Sequence, residues 1–199
     1  MNIPLTLRRR ILLLLIIWPV LSLAHDKPTG PSFPSRVPPW LYEEGGEFEL
    51  TSHLGNSVTE KSFAGKYLFI YFGYTHCADA CPLSLNKMVL ALRAIGSKAD
   101  QVQPLFITTD PRRDTAEVLA DFAPRFHPKL VGLTGDKHAI FRATKTYGVR
   151  YFSGRIDGRY EVGHTDNLFL MGPDGLLKGF YPTDTDTSNL AEALKKVIQ

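Results

Sequence analysis

The strongest constraint on the fold is an apolar, aromatic run that ends at a glycine shortly before the only two cysteines of the chain. The residues from Tyr67 to Phe72 read YLFIYF, and Gly73 interrupts them. A continuous apolar run of this length predicts a strand that is buried on both faces, as in the centre of an α/β sheet. Such a sheet needs helices on both sides to cover it.

The cysteines lie in the turn that follows this strand. Cys77 and Cys81 are part of the sequence CADACP. Pro82 and the apolar residues that follow it at helical spacing predict a helix that begins near Pro82. The cysteines are therefore expected between a strand end and a helix start, where open α/β sheets place their ligands and their chemistry. A helix N-terminus also favours thiolate over thiol.

The rest of the chain alternates between strand and helix patterns. A second buried strand, VQPLFITT, is followed by Asp114 and Thr115, which can cap the next helix. Asp157 and Gly158 mark a hairpin within residues 151 to 162. We predict an α/β protein with a thioredoxin-like fold: a central mixed sheet of four or five strands, helices that flank it and an inserted hairpin.

Residues 1 to 24 have the pattern of a targeting segment. Three arginines, Arg8 to Arg10, precede the apolar run from Ile11 to Leu23, which ends in a small-residue pattern at Ala24. The run is short for a membrane span, which takes about 20 residues. We expect a signal peptide that is cleaved near Ala24. The alternative is an uncleaved N-terminal anchor that attaches the protein to the membrane.

A linker and a single domain follow this segment. Residues 25 to 39 are rich in Pro, Ser and Gly, and residues 40 to 199 form the predicted domain. The chain has 23 Lys and Arg against 20 Asp and Glu, and three of the arginines lie in residues 1 to 24. The remainder is neutral, so its charge gives no support to nucleic-acid binding. Export would place the domain in the periplasm, free or anchored to the inner membrane, where cysteine pairs form disulfides by default.

The spacing of the two cysteines favours a redox or metal-binding role over that of a structural disulfide. Three residues separate Cys77 from Cys81, whereas two separate the cysteines of a thioredoxin redox motif. The wider loop can close a disulfide or place both sulfurs on one metal ion. A structural disulfide across so short a loop would stabilise little, because that effect grows with loop length. We therefore expect a redox-active disulfide or a pair of metal ligands.

His164 is the histidine best placed to join the cysteines. It precedes the predicted strand from Asn167 to Met171, so it lies at a strand end that can reach the cysteine turn. A lone histidine is usually solvated or satisfied within the protein, so the residues alone leave its role open. Two thiolates and one imidazole would form a soft ligand set that suits Cu(I), or Cu(II) in a distorted site. Zinc accepts the same ligands but normally takes a fourth.

At these residues the chain resembles the Sco/SenC family of copper chaperones. The resemblance is carried by GYTHCADACP from Gly73, TDPRRDT from Thr109, GLTG from Gly132, VGHT from Val162 and LMGPDG from Leu170. These motifs extend over most of the predicted domain, and together they are far more specific than the cysteine pair alone.

The resemblance implies a function and a set of ligands. It implies that Cys77, Cys81 and His164 bind a copper ion, as Cu(I) or Cu(II), and that the protein delivers it to an acceptor such as a cytochrome c oxidase subunit. A chaperone of this kind is not an enzyme. Two alternatives stay open: a thiol–disulfide reductase that keeps the acceptor's copper-ligand cysteines reduced, and a redox sensor. A separate thiol–disulfide oxidoreductase is a further expected partner.

The chain departs from the family pattern beside each ligand. Ala78 and Ala80 stand where the family usually has Pro and Val, and Gly163 stands where it usually has Asp before the histidine. A carboxylate beside a ligand histidine fixes the tautomer and the orientation of the ring. On this reasoning we expect Gly163→Asp to strengthen copper binding.

Overall fold

The computed structural model describes residues 37 to 78, 80 to 156 and 159 to 199. The predicted signal or anchor segment, most of the predicted linker and the hairpin turn at Asp157 and Gly158 lie outside these residues. Within the described ranges, no helix is both long enough and apolar enough to cross a membrane.

The described part of the chain forms nine strands and five α-helices. The strands are β1 (Glu49–Ser52), β2 (Ser57–Thr59), β3 (Tyr67–Gly73), β4 (Val102–Thr108), β5 (Val131–Thr134), β6 (Tyr151–Ile156), β7 (Arg159–His164), β8 (Asn167–Met171) and β9 (Leu177–Pro182). The helices are α1 (Trp40–Glu43), α2 (Ala80–Ala94), α3 (Ala116–Phe122), α4 (Lys137–Thr146) and α5 (Thr187–Val197).

Seven strands form one mixed sheet in the order β2-β1-β5-β4-β3-β8-β9, and β6 pairs with β7 in a separate hairpin. Strands β3, β4 and β5 are parallel, and the other pairs are antiparallel. The predicted thioredoxin-like α/β fold with an inserted hairpin is confirmed. The sheet is wider than the predicted four or five strands, because edge strands as short as β2 contain too few residues to give a periodic pattern.

Strand β3 is buried on both faces, as its apolar run predicts. Phe69 and Tyr71 pack on one face with α2, α5 and α3, whereas Leu68, Ile70 and Phe72 pack on the other with α1 and α4. Successive side chains of a strand point to opposite faces, so a run without polar residues is what a strand between two helical layers requires.

The carboxyl ends of β3 and β4 lie side by side. Gly73 pairs with Thr108, and the amide of Thr109 donates to the Gly73 carbonyl at 2.7 Å. The two segments that follow these strands therefore leave the sheet at the same edge. Helix α2 begins at Ala80, two residues before the predicted start, so Pro82 lies in the first turn, where a missing N–H removes no helical hydrogen bond.

Burial predicts that alanine substitutions at two leucines of α2 affect stability very differently. Leu85 is 0% exposed, whereas Leu90 is 49% exposed. We expect Leu85→Ala to lower the free energy of unfolding by about 2–5 kcal/mol, because it leaves a cavity between α2 and the sheet. The matched control, Leu90→Ala, should change it by no more than about 0.5 kcal/mol. Equilibrium urea unfolding measures both; equal losses would contradict the assigned helix face.

Candidate metal centre

Three segments meet at the edge of the sheet where β3 and β4 end. The turn from Tyr74 to Ala78 follows β3, residues 109 to 115 follow β4, and His164 is the last residue of β7. The parallel pairing of β3 with β4 explains the first two. His164 lies at the same place because the β6–β7 hairpin leads directly into β8, and β8 pairs with the edge of β3 that does not pair with β4.

The two cysteines differ in exposure but contact each other. Cys81 lies in the first turn of α2 and is 0% exposed, whereas Cys77 lies before the helix and is partly exposed. The Cys81 amide donates to the Cys77 sulfur at 3.4 Å. An N–H donor and a helix N-terminus both favour negative charge on a sulfur at this position. The predicted placement of the pair, between a strand end and a helix start, agrees with this geometry.

Gly73 allows the helix to approach the strand closely. A Cβ atom at this position would lie 2.9 Å from ring atoms of Phe106 and Tyr71, and 3.1 Å from the Cys81 sulfur. No side chain fits there without displacing these groups. The glycine that ends the apolar run is therefore needed for the close contact between β3 and Cys81.

A buried carboxylate holds the turn that carries Cys77. Asp114 is 0% exposed and accepts hydrogen bonds from the Thr75 amide at 2.9 Å and the Thr75 hydroxyl at 2.6 Å. It also accepts from the Thr108 hydroxyl at 2.7 Å. Thr115, also proposed as a cap, accepts from the Val118 amide at the start of α3. Thr115 is therefore the N-cap of α3, and Asp114, which the sequence also offers as a cap, instead joins the segments at the ends of β3 and β4.

His164 reaches the cysteine turn. Its Nε2 atom lies 3.5 Å from the Cys81 sulfur. Its Nδ1 atom lies 2.8 Å from the Thr165 carbonyl, which can only accept a hydrogen bond, so in the neutral imidazole Nδ1 carries the proton and Nε2 has its lone pair towards Cys81. The rings of Tyr71 and Tyr74 pack edge-on against the imidazole, with centroids at 6.1 and 5.9 Å. The tyrosine rings restrict how far the imidazole can turn.

The separation of Cys81 and His164 suits a shared metal ion. Metal–sulfur and metal–nitrogen bonds of about 2.3 and 2.0 Å, meeting near the tetrahedral angle, place the two ligand atoms about 3.5 Å apart. Across the described ranges, no three His, Cys, Asp or Glu side chains are already arranged to hold one ion. The structure therefore brings Cys81 to His164 and Cys81 to Cys77, and a three-ligand site requires a local adjustment.

The surroundings of Cys81 disfavour its thiolate in the absence of a cation. Its pKa is raised far above the usual value, first by the hydrogen bond with the Cys77 sulfur and then by burial. A hydrogen bond from the Tyr74 backbone acts in the opposite direction. A bound cation would remove this penalty, because it supplies the positive charge that the buried sulfur lacks.

Aromatic and charged side chains hold the hairpin against the sheet edge. The Tyr160 hydroxyl of β7 donates to the buried Asp110 carboxylate at 3.1 Å, and Arg113 forms a short ion pair with the same carboxylate. The Arg113 guanidinium lies 4.6 Å from the centre of the Tyr160 ring and 5.9 Å from that of Tyr74. These contacts fix the strand that ends at His164 to the segment after β4.

The structure removes the basis for the expected benefit of an acidic residue at position 163. The Thr165 carbonyl already holds the His164 ring, so the missing carboxylate leaves no gap in that role. A Cβ atom at Gly163 would overlap the ring of Phe152, which faces it across the hairpin. The geometry around Gly163 therefore argues against the expectation that Gly163→Asp strengthens copper binding.

Several residues of the site were not identified from the sequence as parts of it. Asp114 was assigned only a capping role, and Tyr71, Thr165 and Asp166 were assigned none. The position of Asp166, two residues after His164, was the one available signal. Its hydrogen-bond partners lie on elements distant in sequence, so no local pattern could have named them.

The sequence model of the family described as SCO1/SenC matches residues 41 to 199. The chain belongs to the SCO1/SenC family. Among its relatives, the mitochondrial SCO1 homologue of Homo sapiens is 40% identical over 154 residues, which cover 75% of this chain and 51% of that protein. The mitochondrial SCO2 homologue of Mus musculus is 36% identical over 157 residues, which cover 77% and 62%. The chain thus matches about half to three-fifths of the length of these relatives.

Solved structures share both the fold and the family. The crystal structure of Arabidopsis thaliana ScoI with copper bound matches with a TM-score of 0.73 and 38% identity, covering 77% of this chain and 97% of that one. The structure of Bradyrhizobium japonicum ScoI with copper bound matches with a TM-score of 0.69 and 39% identity, covering 77% and 98%. The resemblance inferred from the sequence motifs is confirmed.

The unequal exposure of the cysteines predicts unequal reactivity. At pH 7 and 8, we expect iodoacetamide to modify Cys77 first and Cys81 at least about ten times more slowly, since thiolate is the reactive form and each unit of raised pKa removes about nine-tenths of it. Mass spectrometry of timed samples measures both rates. In denaturant the two rates should become similar; a native Cys81 as reactive as Cys77 would contradict the burial described above.

Proposed function

We propose that this protein is a copper metallochaperone. It binds one copper ion through Cys77, Cys81 and His164 and passes it by ligand exchange to an exported copper protein, such as the subunit that carries the copper centre of cytochrome c oxidase. The oxidase is proposed from the family resemblance, and the copper from the donor set and from the copper-bound relatives.

One observation carries the proposal: the 3.5 Å separation between the Cys81 sulfur and His164 Nε2. These residues are 83 positions apart in the chain and reach each other through two different elements, α2 and β7. Thiol exchange needs no imidazole, whereas a soft metal ion gains a third ligand from one. A histidine held with its lone pair towards a buried cysteine therefore favours metal binding.

The exposures of the two sulfurs suggest how copper would be exchanged. Cys81 is buried beneath the turn, so a partner protein cannot reach its sulfur directly. Cys77 is partly exposed, so it is the ligand that an incoming thiolate or imidazole of the acceptor can replace first. Each cysteine must lose its proton when copper binds, and apparent affinity should therefore rise with pH.

We further propose that residues 1 to 24 direct export, by a cleaved signal or a retained anchor, and that residues 40 to 199 act in the periplasm as one copper-binding domain. Residues 25 to 39 would then be a linker. In an oxidising compartment the two cysteines form a disulfide, which cannot ligate copper, so a thiol–disulfide oxidoreductase would be needed to reduce the pair.

A second function, reduction of the acceptor's cysteines, is favoured by one specific observation. A partly exposed sulfur and a buried sulfur contact each other at a helix N-terminus, which is the arrangement of an attacking and a resolving thiol. This function needs both cysteines but not His164. The two functions can therefore be separated by substitution.

Three variants test the ligand assignment. We expect Cys77→Ser and Cys81→Ser each to lower Cu(I) affinity by at least about a hundredfold, because a soft ion loses one of only two sulfurs. His164→Ala should weaken binding less, by about tenfold or more, and change the Cu(II) absorption and paramagnetic resonance spectra. Competition with a Cu(I) chelator measures affinity on the reduced protein, and the air-oxidised protein should not compete.

Reduction of a model disulfide, measured on the same proteins, separates the two functions. His164→Ala should keep nearly the rate of the unsubstituted protein, and both cysteine variants should lose it. His138→Ala serves as the matched control, because His138 is exposed on α4 and should leave both measurements unchanged. If His164→Ala left copper affinity and spectra unchanged, the chaperone proposal would fail and the reductase would remain.

Gly163→Asp should weaken copper binding instead of strengthening it. The new side chain meets the Phe152 ring, so the ring or the strand that carries Gly163 has to shift, and a shift of this strand also displaces the adjacent His164 from Cys81. We expect a severalfold loss of Cu(I) affinity and partial recovery in the double variant Gly163→Asp/Phe152→Ala, which makes room for the carboxylate. Tighter binding by the single variant would contradict the geometry.

A further inference from the structure

Asp166 accepts hydrogen bonds from three separate elements of the fold. It lies between β7 and β8, two residues after His164. Its carboxylate accepts from the Tyr71 hydroxyl of β3 at 2.7 Å, the Ser84 hydroxyl of α2 at 3.3 Å and the Thr183 hydroxyl after β9 at 2.6 Å. A carboxylate has only acceptors, and all three partners are donors, so the arrangement is complementary.

The partners of Asp166 are neighbours of the proposed copper ligands. Tyr71 is 0% exposed, packs edge-on against His164 and lies in the same core cluster as Cys81. Ser84 lies three residues after Cys81 in the first turns of α2, and its single hydroxyl hydrogen is shared between Asp166 and the Ala80 carbonyl, which lies at 3.0 Å. One side chain therefore connects the segment that carries His164 to the helix that carries Cys81.

We propose that Asp166 is a positioning residue that sets the distance between His164 and Cys81. It acts through Tyr71 and Ser84, without a hydrogen bond to the imidazole itself. The inference rests on the proposed copper site for its affinity readout, and on the metal-free protein for a second readout.

Asp166 can act on this distance in two ways, through the buried Tyr71 hydroxyl and through the segment that follows His164. Without Asp166, the Tyr71 hydroxyl loses its acceptor in a place that water reaches poorly, which leaves a buried donor unsatisfied. The residues after His164 also lose their side-chain connection to α2, and they keep only the backbone contact with the Thr183 hydroxyl. The Thr165 carbonyl that holds the imidazole belongs to this segment, so the ring would lose its fixed position towards Cys81.

Asparagine at position 166 would keep the same contacts. Its side-chain carbonyl oxygen can accept from Tyr71 and Ser84, and its amide can donate to the Thr183 hydroxyl. The Thr183 hydroxyl would then donate to the backbone carbonyl of residue 166, which already lies 3.2 Å away. Asp166→Asn therefore removes the charge and preserves the connections. Asp166→Ala removes both.

The experiment compares Asp166→Ala, Asp166→Asn and Tyr71→Phe with the unsubstituted protein. We expect Asp166→Ala to lower Cu(I) affinity by about tenfold or more and to change the Cu(II) spectra, as loss of a supporting group around a metal site does. Asp166→Asn should stay within about threefold. Asp166→Ala/Tyr71→Phe should lose no more than the larger single effect, because the two residues act as one unit.

The matched control is Asp174→Ala. Asp174 is an exposed carboxylate in the β8–β9 turn that pairs with Lys178 at 2.6 Å, and its loss should leave copper affinity and spectra unchanged. Urea unfolding of each variant is measured alongside. If Asp166→Ala proves too unstable to study, Tyr71→Phe carries the test, because it breaks the same connection and leaves the partly exposed carboxylate able to meet water.

The metal-free readout is the ring nitrogen signals of His164 in nuclear magnetic resonance spectra. Asp166→Ala should shift or broaden these signals, whereas Asp166→Asn and Asp174→Ala should not. Unchanged affinity, spectra and ring signals in folded Asp166→Ala would overturn the inference, as would an Asp166→Asn as weak as Asp166→Ala. If the unsubstituted protein bound no copper, the proposed function would fail, and the ring signals alone would decide the role of Asp166.

Discussion

The parallel pairing of β3 with β4 is the constraint on which the site depends. It aligns Gly73 with Thr108, so the cysteine turn and the segment after β4 start from the same edge of the sheet. The buried Asp114 can then accept from both strands' ends and fix the turn. A shift of register by one residue would reverse the faces of every side chain on β3 and separate these partners.

Burial on both faces of the sheet makes this edge rigid. Tyr71 packs beneath Cys81, and Phe72 packs on the opposite face with Tyr147 and Phe169, at ring separations of 5.3 and 5.9 Å. The reactive turn thus stands on close-packed strands, while its own residues are the more exposed part of the site. A rigid base with an accessible loop is a common arrangement for binding sites.

The sequence was sufficient for the fold class and for the place of the cysteines, because a long apolar strand, a glycine and a helix start are local patterns. It was not sufficient for Asp114 or Asp166. Each is a short polar residue that also fits a cap or a loop. The partners that place these two residues in the site, Thr75 for Asp114 and Tyr71 for Asp166, lie 39 and 95 residues away. The surroundings of Gly163 were beyond the sequence for the same reason, since the facing ring of Phe152 becomes a neighbour only when the hairpin forms.

The hairpin that ends at His164 is hydrogen-bonded to itself and, in the described part of the chain, shares no strand pairing with the seven-stranded sheet. Side-chain contacts, such as those of Tyr160 with Asp110 and Arg113, hold it against the sheet edge, and its opening would leave the hydrogen bonds of the sheet intact. An ion bound by both α2 and the hairpin would link the two elements. Binding and release of the ion would then depend on a local opening of the hairpin, and the fraction of open molecules would fall as the free concentration of the ion rises.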